Sequence, residues 1–156
     1  TRYEAPMPSL APEIHENAPP GTRPGPGRTI ESADVVIVDD DGVLTELLIH
    51  ALESRGYRCH ALQDGQAAID ALSGASPSIK ARVVLLDLGL PSVDGLSVLR
   101  TLARNGVAQR SRVIMLTARS AEAEVLTDLE LGAFDHVAKP FSLSVLMQRV
   151  QRALEA

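Results

Sequence analysis

From residue 33 onward two kinds of apolar pattern alternate along the chain. Unbroken runs of β-branched, leucine and methionine side chains at 35–38, 83–86 and 113–116 have no polar face. That is the pattern of strands buried on both sides. Between them the apolar residues recur at helical spacing: Leu44, Leu47, Leu48, Ala51 and Leu52 up to Gly56, and Leu96, Leu99 and Leu102 up to Asn105-Gly106. A last helix runs from a Ser142 cap through Leu146, Val150 and Leu154. Shorter stretches complete the alternation. Residues 57–62 and 136–138 read as strands, and 67–72 and 122–131 as helices stopped by Gly74 and Gly132. Five strands alternating with five helices predict an α/β domain, a doubly wound five-stranded parallel sheet with helices on both faces. The stretch 33–156 is long enough to bury its own core.

Residues 1–32 break this pattern. Pro6, Pro8, Pro12, Pro19, Pro20, Pro24 and Pro26 fall here among few, aperiodic apolar residues. Such a segment buries too little surface to offset its conformational entropy. It reads as a disordered tail or linker, with a proline-rich ligand for a recognition domain as the alternative. The chain opens on Thr1 and not Met, which reads as a processed or excised piece of something longer.

Composition narrows the function classes. A net charge of −5 argues against a broad nucleic-acid-binding surface. The single cysteine, Cys59, excludes an internal disulfide and a multi-cysteine metal site. His15, His50, His60 and His136 show no ligand spacing. No apolar run approaches the ~20 residues that span a bilayer, and no signal-peptide pattern is present. A cytoplasmic location is the expectation.

The candidate chemistry sits where the strands end. The first strand ends in Asp39, Asp40 and Asp41, the third in Asp87, the fourth in Thr117 and the fifth in Lys139. In a parallel sheet these ends share one edge, which is also where ligands bind in open α/β sheets. Clustered carboxylates stay ionised only beside compensating cations. Lys139 supplies one, and oxygen-only ligands beside an opening for phosphate favour Mg²⁺ for the rest. Taken singly, Asp87 reads as well as a helix cap, Thr117 as a strand-end hydroxyl and Lys139 as a solvated charge.

The motifs Asp39-Asp40, Asp87-Leu-Gly-Leu-Pro-Ser-Val-Asp-Gly, Thr117-Ala118 and Lys139-Pro140-Phe141 occur in this order, each at a strand end. Over 33–154 the chain therefore resembles the CheY-like receiver domain of two-component response regulators. The resemblance implies a flavodoxin-like strand order 2-1-3-4-5. It further implies that Asp87 accepts a phosphoryl group from a sensor histidine kinase or phosphotransfer protein. Asp40 and Asp87 would contact Mg²⁺ directly, Asp39 through water, with the Gly89 carbonyl as a further ligand. Lys139 would pair with the phosphoryl oxygens and Thr117 would hydrogen-bond one of them, Ala118 leaving room for the group. The Lys139-Pro140 bond is expected to be cis. The chain would then be a phosphoacceptor that catalyses its own phosphorylation and dephosphorylation, not an enzyme acting on others.

Two departures from the family pattern stand out. His136 occupies the position of an aromatic switch residue. Val125, Val145 and Gln151 replace charged residues of a dimer face, while Asp135 and Arg149 remain. With Phe134 they make the 121–154 face more apolar, suited to a partner or a homodimer, unless Val125 and Val145 pack on their own sheet. Three other readings compete. Asp39-Asp40-Asp41-Gly42-Val43-Leu44 resembles the nucleophile motif of haloacid-dehalogenase-type phosphatases, with Asp39 as nucleophile. That family needs another acidic motif after the lysine, and Glu155 is the only later acid. A receiver within a hybrid kinase fits the same residues. A degenerate docking module is disfavoured because no site residue is missing.

Overall fold

A computed structural model describes residues 30–74, 76–118 and 130–156. The strands are β1 (Glu31–Val38), β2 (Cys59–Leu62), β3 (Ile79–Asp87), β4 (Arg112–Ala118) and β5 (Asp135–Lys139). They form one sheet in the order β2-β1-β3-β4-β5 with every pairing parallel. The expected doubly wound order is present. The described helices are α1 (Gly42–Glu53), α2 (Gly65–Leu72), α3 (Gly95–Arg104), a four-residue α4 (Val107–Arg110) and α5 (Leu143–Glu155).

Alternation along the central strands splits the core in two. Val36, Val38, Val84, Leu86, Val113 and Met115 face one way and pack with Ala68, Leu72, Val98, Leu99 and Leu102 of α2 and α3. Val35, Ile37, Val83, Leu85, Ile114 and Leu116 face the other, against Leu48 and Leu52 of α1 and Leu146 and Val150 of α5. Continuous apolar runs are therefore required, since both faces of β1, β3 and β4 are covered.

The helix starts are set by side-chain caps. Asp41, Asp64, Asp94 and Ser142 each accept a backbone N–H from three residues on, satisfying one otherwise orphaned donor per helix. Ser142 was expected in this role.

Three boundaries differ from the sequence reading. β1 opens at Glu31, inside the stretch read as tail; the two exposed residues are held by pairing to Ile79 and Lys80 and need no apolar side chain. The third helix does not close the αβ link at Gly106. That residue turns the chain at φ 81°, and buried Val107 opens the extra turn α4. The helix expected over 122–131 lies outside the described residues except for its last two.

Candidate functional site

The register aligns four strand ends on one edge. Asp87 pairs with Leu116, Thr117 with Ala138, and Ala118 with Lys139. Asp39 follows β1, its N–H donating to the Leu62 carbonyl. The sheet thus brings together Asp39, Asp40, Asp87, Thr117 and Lys139.

Lys139 links this group. Its Nζ donates to Asp39 Oδ2 at 3.0 Å and to Asp87 Oδ1 at 3.1 Å. Burial would depress the ammonium pKa, but the hydrogen bonds to Asp39 and then Asp87 outweigh it and hold the pKa above the ordinary lysine value. Asp39 is wholly buried at its side chain, and its second oxygen accepts the Asp41 N–H at 2.9 Å. Asp40 is exposed, while Asp87 is buried with a small opening to solvent.

Asp39, Asp40 and Asp87 each offer a carboxylate oxygen, all within 4.8 Å of one another. Three carboxylates face one ammonium, an excess of negative charge at oxygen donors only. That donor set fits a hard divalent ion such as Mg²⁺. Gly89 lies in the turn after β3, where an added Cβ would meet nothing within 4 Å. Thr117 Oγ1 is buried and has no hydrogen-bond partner among the described residues, which costs free energy unless something bonds to it.

Asp87, Gly89 and Lys139 line a cleft of about 700 Å³ whose other walls include Asp41, Leu44, Leu88, Ala118, Pro140 and Phe141. The Lys139-Pro140 peptide bond is cis, as expected.

Gly95 is a positioning residue that motif reading passes over. A Cβ there would drive into the Asp87 carbonyl oxygen and come within 2.6 Å of Leu88 Cα. The start of α3 therefore packs directly on the backbone that carries Asp87. The Asp94-Gly95 pair that closes the Asp87 motif was the available signal. Asp41 was read only as the third acid after the first strand and Leu44 as core, without their place in the cleft.

His136 lies beside Met115 in the register, two residues along β5 from the partner of Thr117. Pleating puts both on the same sheet face. Its Nδ1 is buried without a partner among the described residues. Asp135 accepts hydrogen bonds from Arg149 at 2.9 Å and Arg152 at 3.0 Å, tying β5 to α5. Val145 is 41% exposed and so does not pack on its own sheet; Val125 lies outside the described residues. Phe134 is half-buried, with the Arg112 guanidinium 5.4 Å from its ring centroid.

The family model of the response regulator receiver domain matches residues 35–151. The chain belongs to that family. The receiver resembles the receiver domain of a signal transduction histidine kinase from Syntrophus aciditrophicus, with 32% identity and TM-score 0.67 over 79% of this chain and 90% of that one. It also resembles the receiver domain of a sensor histidine kinase from Pseudomonas aeruginosa PAO1, with 27% identity and TM-score 0.68 over 80% and 99% of the two chains. That structure has a magnesium ion coordinated in its active-site cleft. The receiver domain of NtrX from Brucella abortus is similar at 26% identity and TM-score 0.68, over 79% and 99%. Among the described residues of this receiver, no helix is long and apolar enough to cross a membrane.

Proposed function

We propose that this receiver is the Mg²⁺-dependent phosphoacceptor of a two-component system and that Asp87 is the residue phosphorylated. The observation carrying this reading is the Lys139 ammonium spanning Asp39 and Asp87 beside the unpartnered Thr117 hydroxyl. In the proposed reaction an Asp87 oxygen attacks the phosphorus of a partner's phosphohistidine. The phosphorus–nitrogen bond breaks and its electron pair leaves with the imidazole. Phosphoryl transfer has a loose, highly charged transition state, so placed charge contributes most of the catalysis. Lys139 then shifts its hydrogen bonds to the phosphoryl oxygens, and Thr117 donates to another. Mg²⁺ held by Asp40, Asp87 and the Gly89 carbonyl, with Asp39 acting through water, would neutralise charge on the incoming group. The same site would later hydrolyse the phosphoaspartate, so the chain is phosphorylated and is not an enzyme acting on others.

Exposure argues against the phosphatase reading. Asp39, its nucleophile, is wholly buried at its side chain, with each oxygen already bonded. Incubation with Mg²⁺ and acetyl phosphate should add one labile phosphoryl group, and Asp87→Asn should abolish it. Labelling that survives Asp87→Asn but is lost in Asp39→Asn would hand the reaction to Asp39.

The partner in this reading is a sensor histidine kinase or phosphotransfer protein, with no nucleic acid and no membrane engaged by this chain, and a cytoplasmic location fits it. A receiver within a hybrid kinase is favoured by one observation: two of the similar structures are receiver domains of histidine kinases. The domain start expected at 33 moves to Glu31, where β1 opens, and the stretch before it is proposed as a tail or linker.

A further inference from the structure

The cleft holding the Asp87 carboxylate is larger and less polar than a phosphoryl group and a metal ion require. About 700 Å³ of space is bounded by Leu44, Leu88, Pro140 and Phe141 as well as by Asp41, Asp87 and Lys139. The apolar wall is fixed in place. Leu44 and Phe141 are packed into the core between the sheet and helices α1 and α5, and Leu88 into the core on the opposite face. Gly89 and Ala118 add no bulk that would close the opening.

In-line displacement dictates what meets that wall. The leaving group departs opposite the attacking Asp87 oxygen, and so lies in the outer cleft. We propose that the Leu44–Leu88–Phe141 wall is a leaving-group subsite that selects small phosphoryl donors with an apolar acyl group, aromatic acyl phosphates above acetyl phosphate. This rests on the reading of Asp87 as phosphoacceptor. One Asp87 oxygen bonds to phosphorus as the bond from phosphorus to the acyl oxygen breaks. The electron pair stays on that oxygen, the donor leaves as a carboxylate, and no proton moves. Asp41, also in the cleft, repels the departing anion and favours its release.

Binding and transfer test this separately. Amide-shift titrations of the full chain with Mg²⁺ compare benzoylphosphonate with acetylphosphonate, relatives of the two acyl phosphates in which the acyl carbon is bonded directly to phosphorus, so that no phosphoryl group is transferred. The benzoyl compound should bind about tenfold tighter, from the extra apolar area buried, and should shift Leu44, Leu88 and Phe141. The ratio of phosphorylation rates with benzoyl and acetyl phosphate should then fall several-fold in Phe141→Ala, or in Leu44→Ala should the first variant not fold. Equal affinity of the phosphonates, no binding of either, or a rate ratio indifferent to the wall overturns the subsite and leaves Asp87 as acceptor. If neither donor phosphorylates Asp87, both readings fall.

Discussion

Asp39 and Asp40 are adjacent in sequence and opposite in circumstance. Asp39 has one oxygen on the Asp41 N–H and the other on Lys139, so it serves the fold before it serves a metal. Asp40 is exposed and keeps its oxygens available. Asp40→Ala should therefore weaken Mg²⁺ binding more than Asp39→Ala does, in a calorimetric titration. Unfolding should rank them in reverse: Asp39→Ala strands Lys139 beside a single carboxylate and costs about 1–3 kcal/mol, while Asp40→Ala is near neutral. Equal losses of Mg²⁺ affinity would contradict the division of labour. The acid pair, Asp87, Thr117 and Lys139 were all legible as residues because each ends an apolar run. Which acid is buried was not, since that depends on the Leu62 carbonyl and on Lys139, one hundred residues away.

Helix α3 and strand β5 hold the site from either side, each by a specific device. Gly95 lets α3 rest on the Asp87 backbone, so Gly95→Ala should destabilise the fold by about 1–3 kcal/mol through overpacking. Gly89→Ala, where an added Cβ meets nothing, should stay within about 0.5 kcal/mol; matched denaturant unfolding curves give both values. On the other side Asp135 binds β5 to α5 through Arg149 and Arg152. Burial pushes its carboxyl up, but the His136 N–H and the two guanidiniums outweigh this and hold its pKa below the ordinary 3.8. A carboxyl depressed on folding stabilises above its unfolded pKa and loses that contribution as pH falls through the folded one. Asp135→Asn should thus cost about 1 kcal/mol at neutral pH, and the gap from wild type should close only below about pH 4. Element types followed from the apolar periods, because the central strands are covered on both faces. The extra turn α4 was invisible to them: four residues carry no period, and only tertiary packing of Val107 reveals it.

Across the whole molecule the site and α5 are joined through strand β5, whose His136 lies on the sheet face of Met115 and whose Val137 packs with α5 on the other. Thr117 and His136 lie two residues apart in the register on the face opposite α5, and each has a buried polar atom without a partner among the described residues. Neither orphan can be read from sequence, since both depend on what the fold withholds from them. Each destabilises the unphosphorylated packing and is open to relief by an alternative one. A phosphoryl oxygen at Asp87 would give the Thr117 hydroxyl a charge-assisted bond and draw it toward the cleft. The space it leaves would be open to the His136 ring, which we propose as the counterpart of an aromatic switch. Two packings separated by a few kcal/mol suffice for such a switch, with the new bond biasing one of them. Asp135 lies next to His136 in β5 and is clamped to α5, so a shift of the strand carries the helix and its exposed Val145 along. That moving face is where a partner or a second copy of the chain would read the change; the part of it over 121–129 lies outside the described residues. Amide exchange with and without beryllofluoride, a phosphoryl mimic, should show altered protection across Asp135–Lys139 and Leu143–Glu155 as well as near Asp87. Thr117→Ala should confine the response to the cleft while leaving the mimic bound. Changes restricted to the loops after Asp87 and Thr117 in the wild-type chain, with His136 and α5 untouched, would rule the mechanism out.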